Sequence, residues 1–235
     1  MEALDLSTLV QVDFPEDQYY KEETEKKQIV LHHTVSGGNA DGVISWWKQD
    51  PLRIATAFII AGDGTIYQIF SSKYWAHHLG IKSDFIKSLG FTDYGTRNVT
   101  LNKESVGIEV CNWGGLMKDA NGYHPSYWDA NLKKDVGVTK VTIPDEDVQV
   151  FDKPYRGYLY FEKYKQEQVD SLGKLVNYLC DKWNIPKTYF PTMWDVSTEA
   201  IGSEPGIWTH VSFRRDKSDQ MPQPEIIDML QNLES

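Results

Sequence analysis

Three short apolar runs, each with an ionisable side chain in it or directly after it, constrain the fold of this chain most. His32 closes one run, Glu109 lies inside a second, and His210 follows a third. Short apolar runs rich in β-branched residues are typical of buried strands. Strands that are apolar on both faces belong in the middle of a sheet. The sequence therefore predicts a central sheet that carries these three side chains.

The remaining patterns place helices between and after these strands. Asp63-Gly64 is a strong hairpin signal between two further apolar runs. Val169, Leu172 and Val176 recur on one face of an amphipathic helix. We predict an α/β fold in which helices flank a central mixed β-sheet. Strands are expected over residues 28–33, 57–60, 66–70, 105–110 and 206–211, and helices between Asn39 and Pro51, over 164–184 and over 222–233.

Composition removes several classes of function. A net charge of -10 at pH 7 argues against a nucleic-acid partner, because phosphate binding requires a basic surface. No apolar run approaches the ~18 residues of a membrane span, and the first residues lack the features of a signal peptide. We expect a monomer that is synthesised in the cytoplasm and does not insert into membranes.

Two cysteines are too few for a disulfide framework or a cysteine zinc site.

Two histidines and a carboxylate suit a metal site. His32 and His210 each follow an apolar run, and Asp219 comes nine residues after His210. Zinc takes nitrogen and oxygen ligands, and a catalytic zinc site uses three of them and leaves the fourth position to water. Glu109 could supply the general base of metal-assisted hydrolysis. A lone histidine on a strand is more often a core or surface residue, but the combination favours a zinc hydrolase.

Five segments with recognisable motifs follow one another along the chain. The segments are residues 29–34 (Ile-Val-Leu-His-His-Thr), 58–68 (Phe-Ile-Ile-Ala-Gly-Asp-Gly-Thr-Ile-Tyr-Gln), 75–80 (Trp-Ala-His-His-Leu-Gly), 105–109 (Ser-Val-Gly-Ile-Glu), and His210 with the later Lys-Ser-Asp of 217–219. In this order they resemble the type-2 N-acetylmuramoyl-L-alanine amidases, a family that includes phage lysozyme-type amidases and peptidoglycan recognition proteins. The resemblance covers roughly residues 28–220.

The resemblance implies a role for each candidate residue. The metal would be zinc, with His32, His210 and Asp219 as its ligands at one edge of the sheet. Glu109 would be the acid/base, and Lys217 would stabilise the oxyanion. His78 and Trp75 would bind substrate beside the metal. The bond cut would be the amide between N-acetylmuramic acid and L-alanine of peptidoglycan.

The chain departs from the family pattern at two places. Thr56 stands where some members have a tyrosine, so a mechanism that needs a phenol there is excluded. Gln220-Met221-Pro222 replaces the usual Asp-Pro-Gly. That second change leaves Asp216 as an alternative to Asp219 for the third ligand. His33 should face away from the metal, because successive strand residues point to opposite faces.

The expected domain organisation has an N-terminal extension, a main domain and an insertion. Residues 1–27 form the extension, and residues 28–235 form the zinc amidase domain, with an insertion at about 112–160. Forty-odd residues without a clear element predict an insertion with small strands of its own. Its aromatic residues either extend a glycan groove or pack among themselves (Trp113, Tyr123, Tyr127, Trp128, Tyr155, Tyr158 and Tyr160).

Several functions stay open at this point. The principal hypothesis is a phage-type endolysin, a bacteriolytic enzyme that degrades the cell wall after release. One alternative is a cytosolic amidase that recycles soluble muropeptides, and another is a non-catalytic peptidoglycan-binding module. A structural zinc module is disfavoured because neither cysteine is placed for one. A zinc protease is disfavoured because the sequence has no His-Glu-x-x-His helix.

Overall fold

The computed structural model describes residues 3–129, 134–138 and 140–233. Its centre is a six-stranded mixed sheet. The expected strands and the expected hairpin are confirmed, with ends within two residues of those predicted. The strands of this sheet are β1 (Val10–Gln11), β2 (Gln28–His33), β3 (Phe58–Ile60), β4 (Ile66–Gln68), β5 (Ser105–Val110) and β11 (Gly206–Thr209). Their order across the sheet is β1-β4-β3-β5-β2-β11.

Strands β5, β2 and β11 are parallel neighbours, and their register decides where the ionisable side chains lie. His32 on β2 pairs with Glu109 on β5. Leu31 on β2 pairs with Thr209, the last residue of β11. His210 therefore follows β11 beside His32. The carboxyl ends of the three strands deliver His32, Glu109 and His210 to the same end of the sheet.

Helices cover the sheet, as the sequence predicts for an α/β fold. The long amphipathic helix is confirmed, since Leu172, Val176 and Leu179 are all fully buried in the core. Removing this apolar stripe from water is the main stabilisation of the helix–sheet contact. In the described part of the chain the α-helices are α1 (Asp41–Trp47), α2 (Ser83–Ser88), α3 (Arg97–Glu104), α4 (Gln166–Trp183), α5 (Thr198–Ile201) and α6 (Pro224–Gln231).

A second sheet of five antiparallel strands lies between β5 and α4 in the chain. Its strands are β6 (Gly115–Asp119), β7 (Gly122–Asp129), β8 (Lys134–Gly137), β9 (Val148–Tyr155) and β10 (Tyr158–Glu162). Their order across the sheet is β8-β7-β6-β10-β9. Leu116, Tyr123, Ile143 and Val148 form a small apolar cluster of their own. The side chain of Trp128 lies outside the described residues.

The N-terminal segment extends the central sheet at its edge. Strand β1 pairs in parallel with β4, with Val10 opposite Tyr67. Further along, the segment pairs Tyr20 with Trp75 in an isolated bridge. Both pairings use backbone groups, which explains why the segment has no apolar periodicity. The division into an extension, a main domain and an insertion remains a prediction.

Helix α3 was not expected from the sequence. It is polar, and of its eight residues only Leu101 and Asn102 are buried. Asn102 is fully buried, and its side-chain oxygen accepts hydrogen bonds from the N–H groups of His78 and Leu79 at 2.8 and 3.1 Å. The helix thus anchors the loop that runs past the carboxyl end of β2. Within the described residues, no helix has the length and apolar character needed to cross a membrane.

Candidate active site

Three side chains that are distant in sequence converge at the carboxyl ends of the central strands. His32 Nδ1 lies 3.0 Å from His210 Nδ1. Asp219 Oδ2 lies 2.8 Å from His210 Nδ1 and 3.3 Å from His32 Nδ1. All three residues are buried, and one potential ligand atom from each lies within 4.8 Å of the others. The arrangement can hold one metal ion.

The alternative carboxylate, Asp216, lies elsewhere. It is exposed and forms a two-point ion pair with Arg214, at 3.0 Å to Nε and 2.5 Å to an Nη. That pairing lowers the pKa of Asp216 and occupies its oxygens. Asp219, rather than Asp216, is the carboxylate that the loop after β11 brings to the two histidines.

The environment of the cluster favours neutral His32 and ionised Asp219. Burial, reinforced by the nearby charge of His210, lowers the pKa of His32 to about 4. Burial alone would raise the pKa of Asp219, but in the metal-free protein the charge and hydrogen bond of His210 bring it well below its usual value. A neutral imidazole and a carboxylate are the protonation states that bind a metal cation.

Glu109 lies on β5 beside this cluster. Burial and the negative charge of Asp219 raise the pKa of Glu109 well above its usual value, while the charge of Lys217 opposes this shift. Its Oε2 atom is buried and has no hydrogen-bond partner among the described residues. A carboxyl group whose pKa is raised is a stronger base than an ordinary carboxylate, so it can accept a proton and later release it.

A cavity of about 1360 Å³ opens over these residues. Glu109, Lys217 and Asp219 line it together with both histidines of the cluster. Positive side chains missed by the sequence analysis also line it, namely Arg53 and Arg214. Both lie in loops without apolar periodicity, so no sequence signal pointed to them. In the described part of the chain, no residue of the second sheet contributes to this lining.

The two predicted substrate-binding residues have different positions. His78 lines the cavity and contacts His32, with His78 Nδ1 3.0 Å from His32 Nε2. Trp75 is only 5% exposed and is absent from the described lining. Its ring stacks on Tyr20 at a centroid distance of 3.9 Å, and Tyr20 faces the cavity in its place. Trp75 therefore lies behind Tyr20 in the cavity wall, and its contact with substrate stays a prediction.

His33 takes the opposite face of β2, as alternation predicts. It is buried, and its Nδ1 lies 2.9 Å from the Tyr164 hydroxyl. Its Nε2 has no partner among the described residues. Burial lowers the pKa of His33 to about 4. The folded protein therefore holds this imidazole neutral.

We expect His33 to make the metal-free protein less stable in acid. Between about 6.5, the pKa of an unfolded histidine, and about 4, the unfolded chain binds a proton at His33 that the folded chain does not. The free energy of unfolding should therefore fall as the pH is lowered through this window. His33→Gln removes the titration and can keep the hydrogen bond to Tyr164. Urea unfolding at pH 4.5 to 7 should show a weaker pH dependence for the variant, and equal slopes would contradict this account.

Comparison with known proteins places the chain in a family. A family model described as N-acetylmuramoyl-L-alanine amidase matches residues 22–224. No curated protein sequence matches the chain. Among solved structures, PlyL aligns with a TM-score of 0.52 at 12% identity over 97% of both chains. A point mutant of PlyL aligns with a TM-score of 0.51 at 12% identity over 97% of this chain and 98% of that one. The two structural matches confirm the fold.

Proposed function

The chain belongs to the N-acetylmuramoyl-L-alanine amidase family and is an enzyme of that kind, and we propose that it acts with zinc held by His32, His210 and Asp219. The observation that carries the proposal is the convergence of these three side chains beside Glu109 at the end of one sheet. A module that only binds peptidoglycan would not need this combination of ligands and a proton acceptor.

The chemistry of the donor set supports a metal at this point. His210 Nε2 lies 2.9 Å from the Leu79 carbonyl oxygen, which can only accept, so Nε2 carries the proton. In the neutral ring, Nδ1 then offers its lone pair toward His32 Nδ1 and the Asp219 carboxylate. Three electron-pair donors this close repel one another unless a cation lies among them, and a metal ion can take the place that a proton on His210 Nδ1 has in the metal-free protein. Two imidazoles and one carboxylate form a set typical of catalytic zinc.

Zinc bound there would supply the positive charge that activates a water molecule and polarises the substrate carbonyl. Glu109 would take the proton from the attacking water and deliver it to the amine that leaves. Its raised pKa supports both steps, because a carboxylate of ordinary pKa is a weaker base and seldom holds the proton for the second step. Thr56 cannot replace it, since the Thr56 hydroxyl donates to the Phe58 carbonyl at 2.9 Å.

Lys217 would stabilise the negative charge that develops on the carbonyl oxygen. It lines the cavity, and its charge already acts on Glu109 and His32. An ammonium group in this position contributes more to the transition state than to the bound substrate, because the oxygen becomes fully charged only during the reaction.

We expect Lys217→Ala to lower the turnover number by about 10²–10³, the typical effect of removing one oxyanion donor. Zinc content should not change, because Lys217 is not among the three proposed ligands. The measurements are steady-state kinetics and metal analysis of the purified variant. Lys187→Ala is a matched control, since Lys187 forms an ion pair with Asp181 away from the cavity. A wild-type turnover number for the Lys217 variant would remove Lys217 from the mechanism.

The size of the cavity supports a substrate larger than a single sugar. Its volume of about 1360 Å³ exceeds the range of about 300–1,000 Å³ that is usual for small-molecule sites. The scissile amide of peptidoglycan has a glycan on one side and a peptide on the other, so both must be held to place the carbonyl. Tyr20 and His78 are proposed to line the substrate, with Trp75 behind Tyr20. Such positioning can supply about 7–11 kcal/mol of the barrier.

The bond cut provides the direct test of the proposed function. Digestion of purified sacculi should release stem peptides with free L-alanine amino termini and create no new reducing sugar ends. Mass spectrometry of the products identifies both kinds of end. New reducing ends would indicate a glycosidase, and cleavage inside the stem would indicate a peptidase. Either result would overturn the proposal, provided that the Glu109→Gln protein gives no such products.

We further propose that the protein is a phage-type lysin that attacks polymeric cell wall. Rates on intact sacculi and on soluble muropeptides separate this role from recycling. A lysin should cleave sacculi at least as fast as muropeptides at equal concentration of the scissile amide. A protein that cleaves only the soluble fragments would be a recycling amidase instead. The absence of nucleic-acid partners and a monomeric state remain predictions.

A further inference from the structure

The two proposed histidine ligands share one support in the loop before α2. Each ligand ring turns Nδ1 toward the cluster, so its Nε2 faces outward. His32 Nε2 meets the side chain of His78 at 3.0 Å. His210 Nε2 meets the carbonyl oxygen of the next residue, Leu79, at 2.9 Å. The outer nitrogens of both ligands therefore contact a single dipeptide.

A chain of hydrogen bonds runs from the Leu101 carbonyl through Ser105 and His78 to His32. The direction of each bond follows from the Leu101 end. The Leu101 carbonyl can only accept, so the Ser105 hydroxyl donates to it at 2.6 Å. Ser105 Oγ must then accept from His78 Nε2 at 2.9 Å, which puts the His78 proton on Nε2. His78 Nδ1 is left as an acceptor, so His32 Nε2 carries the proton that bridges them. His32 Nδ1 is thereby left with a free lone pair.

The loop that carries this dipeptide is itself fixed. The buried Asn102 side chain accepts from the N–H groups of both His78 and Leu79, as described above, and donates to the Asn98 carbonyl at 2.6 Å. The His78 ring also needs the bare backbone of Gly107. A Cβ on Gly107 would lie 3.1 Å from His78 Nδ1 and 2.7 Å from a methyl carbon of Thr56. The ring therefore has little freedom to turn.

We propose that the His78–Leu79 dipeptide sets the tautomer and orientation of both histidine ligands, His78 through its side chain and Leu79 through its carbonyl oxygen. His78 is thus a positioning residue, in addition to its place in the cavity wall. Partners of this kind hold a ligand ring in place and raise its basicity, and their loss typically lowers metal affinity by about 10–100-fold. The inference rests on the proposed function, since it requires zinc at His32, His210 and Asp219.

The test compares variants by their zinc affinity, measured in competition with a chromophoric chelator. His78→Phe keeps the ring but cannot accept a hydrogen bond, and it should bind zinc about 10–100-fold more weakly. His78→Asn places an oxygen near the former Nδ1 and should restore most of the affinity. Asn102→Ala should also weaken zinc binding, because it releases the loop. His77→Phe is the matched control, since His77 lines the same cavity without contacting a ligand, and its zinc affinity should equal that of the wild type.

Nuclear magnetic resonance of the zinc-loaded wild-type protein gives an independent answer if His78→Phe does not fold. Long-range proton–nitrogen spectra should show His32, His78 and His210 each protonated on Nε2. A proton on Nδ1 of His78 would overturn the inference, as would folded His78→Phe and His78→Asn proteins that both bind zinc like the wild type. A wild-type protein that binds no zinc would instead refute the proposed metal site, so the two failures are distinguishable.

Discussion

Glu109→Gln is expected to lower the turnover number by about 10²–10⁴, the usual contribution of a general acid–base group. Glutamine has nearly the same shape as glutamate but cannot accept the proton from water. The site should remain intact, because Glu109 is not one of the three proposed ligands and its Oε2 has no partner to lose in the described structure. Zinc content and thermal stability should therefore match those of the wild-type protein.

The matched control for this variant is Glu162→Gln. Glu162 is also partly buried with a raised pKa, but it lies on β10 and accepts a hydrogen bond from the Trp113 N–H at 2.6 Å. Its replacement should leave turnover unchanged, since the cavity lining does not include it among the described residues. If Glu109→Gln were as active as the wild type, Glu109 could not be the proton carrier.

His210→Ala is expected to abolish both zinc binding and activity. It removes one of the three proposed ligands and leaves Asp219 buried without its closest partner, at 2.8 Å in the intact protein. The wild-type protein should contain about one zinc per chain, because the three proposed ligands lie close enough together to hold one ion. Metal analysis of purified proteins should give this value for the wild type and a value near zero for the variant. His32→Ala should behave in the same way.

Two controls separate loss of a ligand from loss of structure. His124→Ala removes another buried histidine, which lies in the second sheet and contacts Asp119 at 3.2 Å. Asp216→Asn removes the carboxylate that pairs with Arg214. Both proteins should retain zinc, whereas Asp219→Asn should lose most of it. A His210→Ala protein that is folded and active in the presence of a chelator would end the zinc hypothesis.

The elements predicted correctly are those with a strong local pattern. The apolar run of β2 and the periodic apolar face of α4 are visible in the sequence. Both patterns indicate burial, because apolar side chains recur at the positions where an element packs on the core. Helix α3 and strand β1 were missed for the corresponding reason. Helix α3 buries two of its residues, and β1 joins the sheet through its backbone while both of its side chains stay exposed. The pattern of apolar and polar side chains therefore predicts neither the packing of α3 nor the backbone pairing of β1.

The candidate ligands were predictable because their chemistry is visible in the residue types. Two histidines and a carboxylate placed after apolar runs already suggest a metal site. The order of the family segments then indicates which histidines and which carboxylate are the candidate ligands. The position of Trp75 was not predictable in the same way. The sequence places an aromatic side chain near the site, but only the packing of Tyr20 over its ring decides which of the two faces the cavity.

The sequence by itself determined the α/β class, the main strands and helices, and the residue types of the candidate site, because local periodicity and side-chain chemistry are properties of short segments. The tertiary structure alone decided which side chains meet. His32 and His78 are 46 residues apart in the chain, and His32 and His210 are 178 apart. Their contacts depend on the order and register of β5, β2 and β11, and on the loop that Asn102 anchors. Such contacts follow from how whole elements pack, which no short segment encodes.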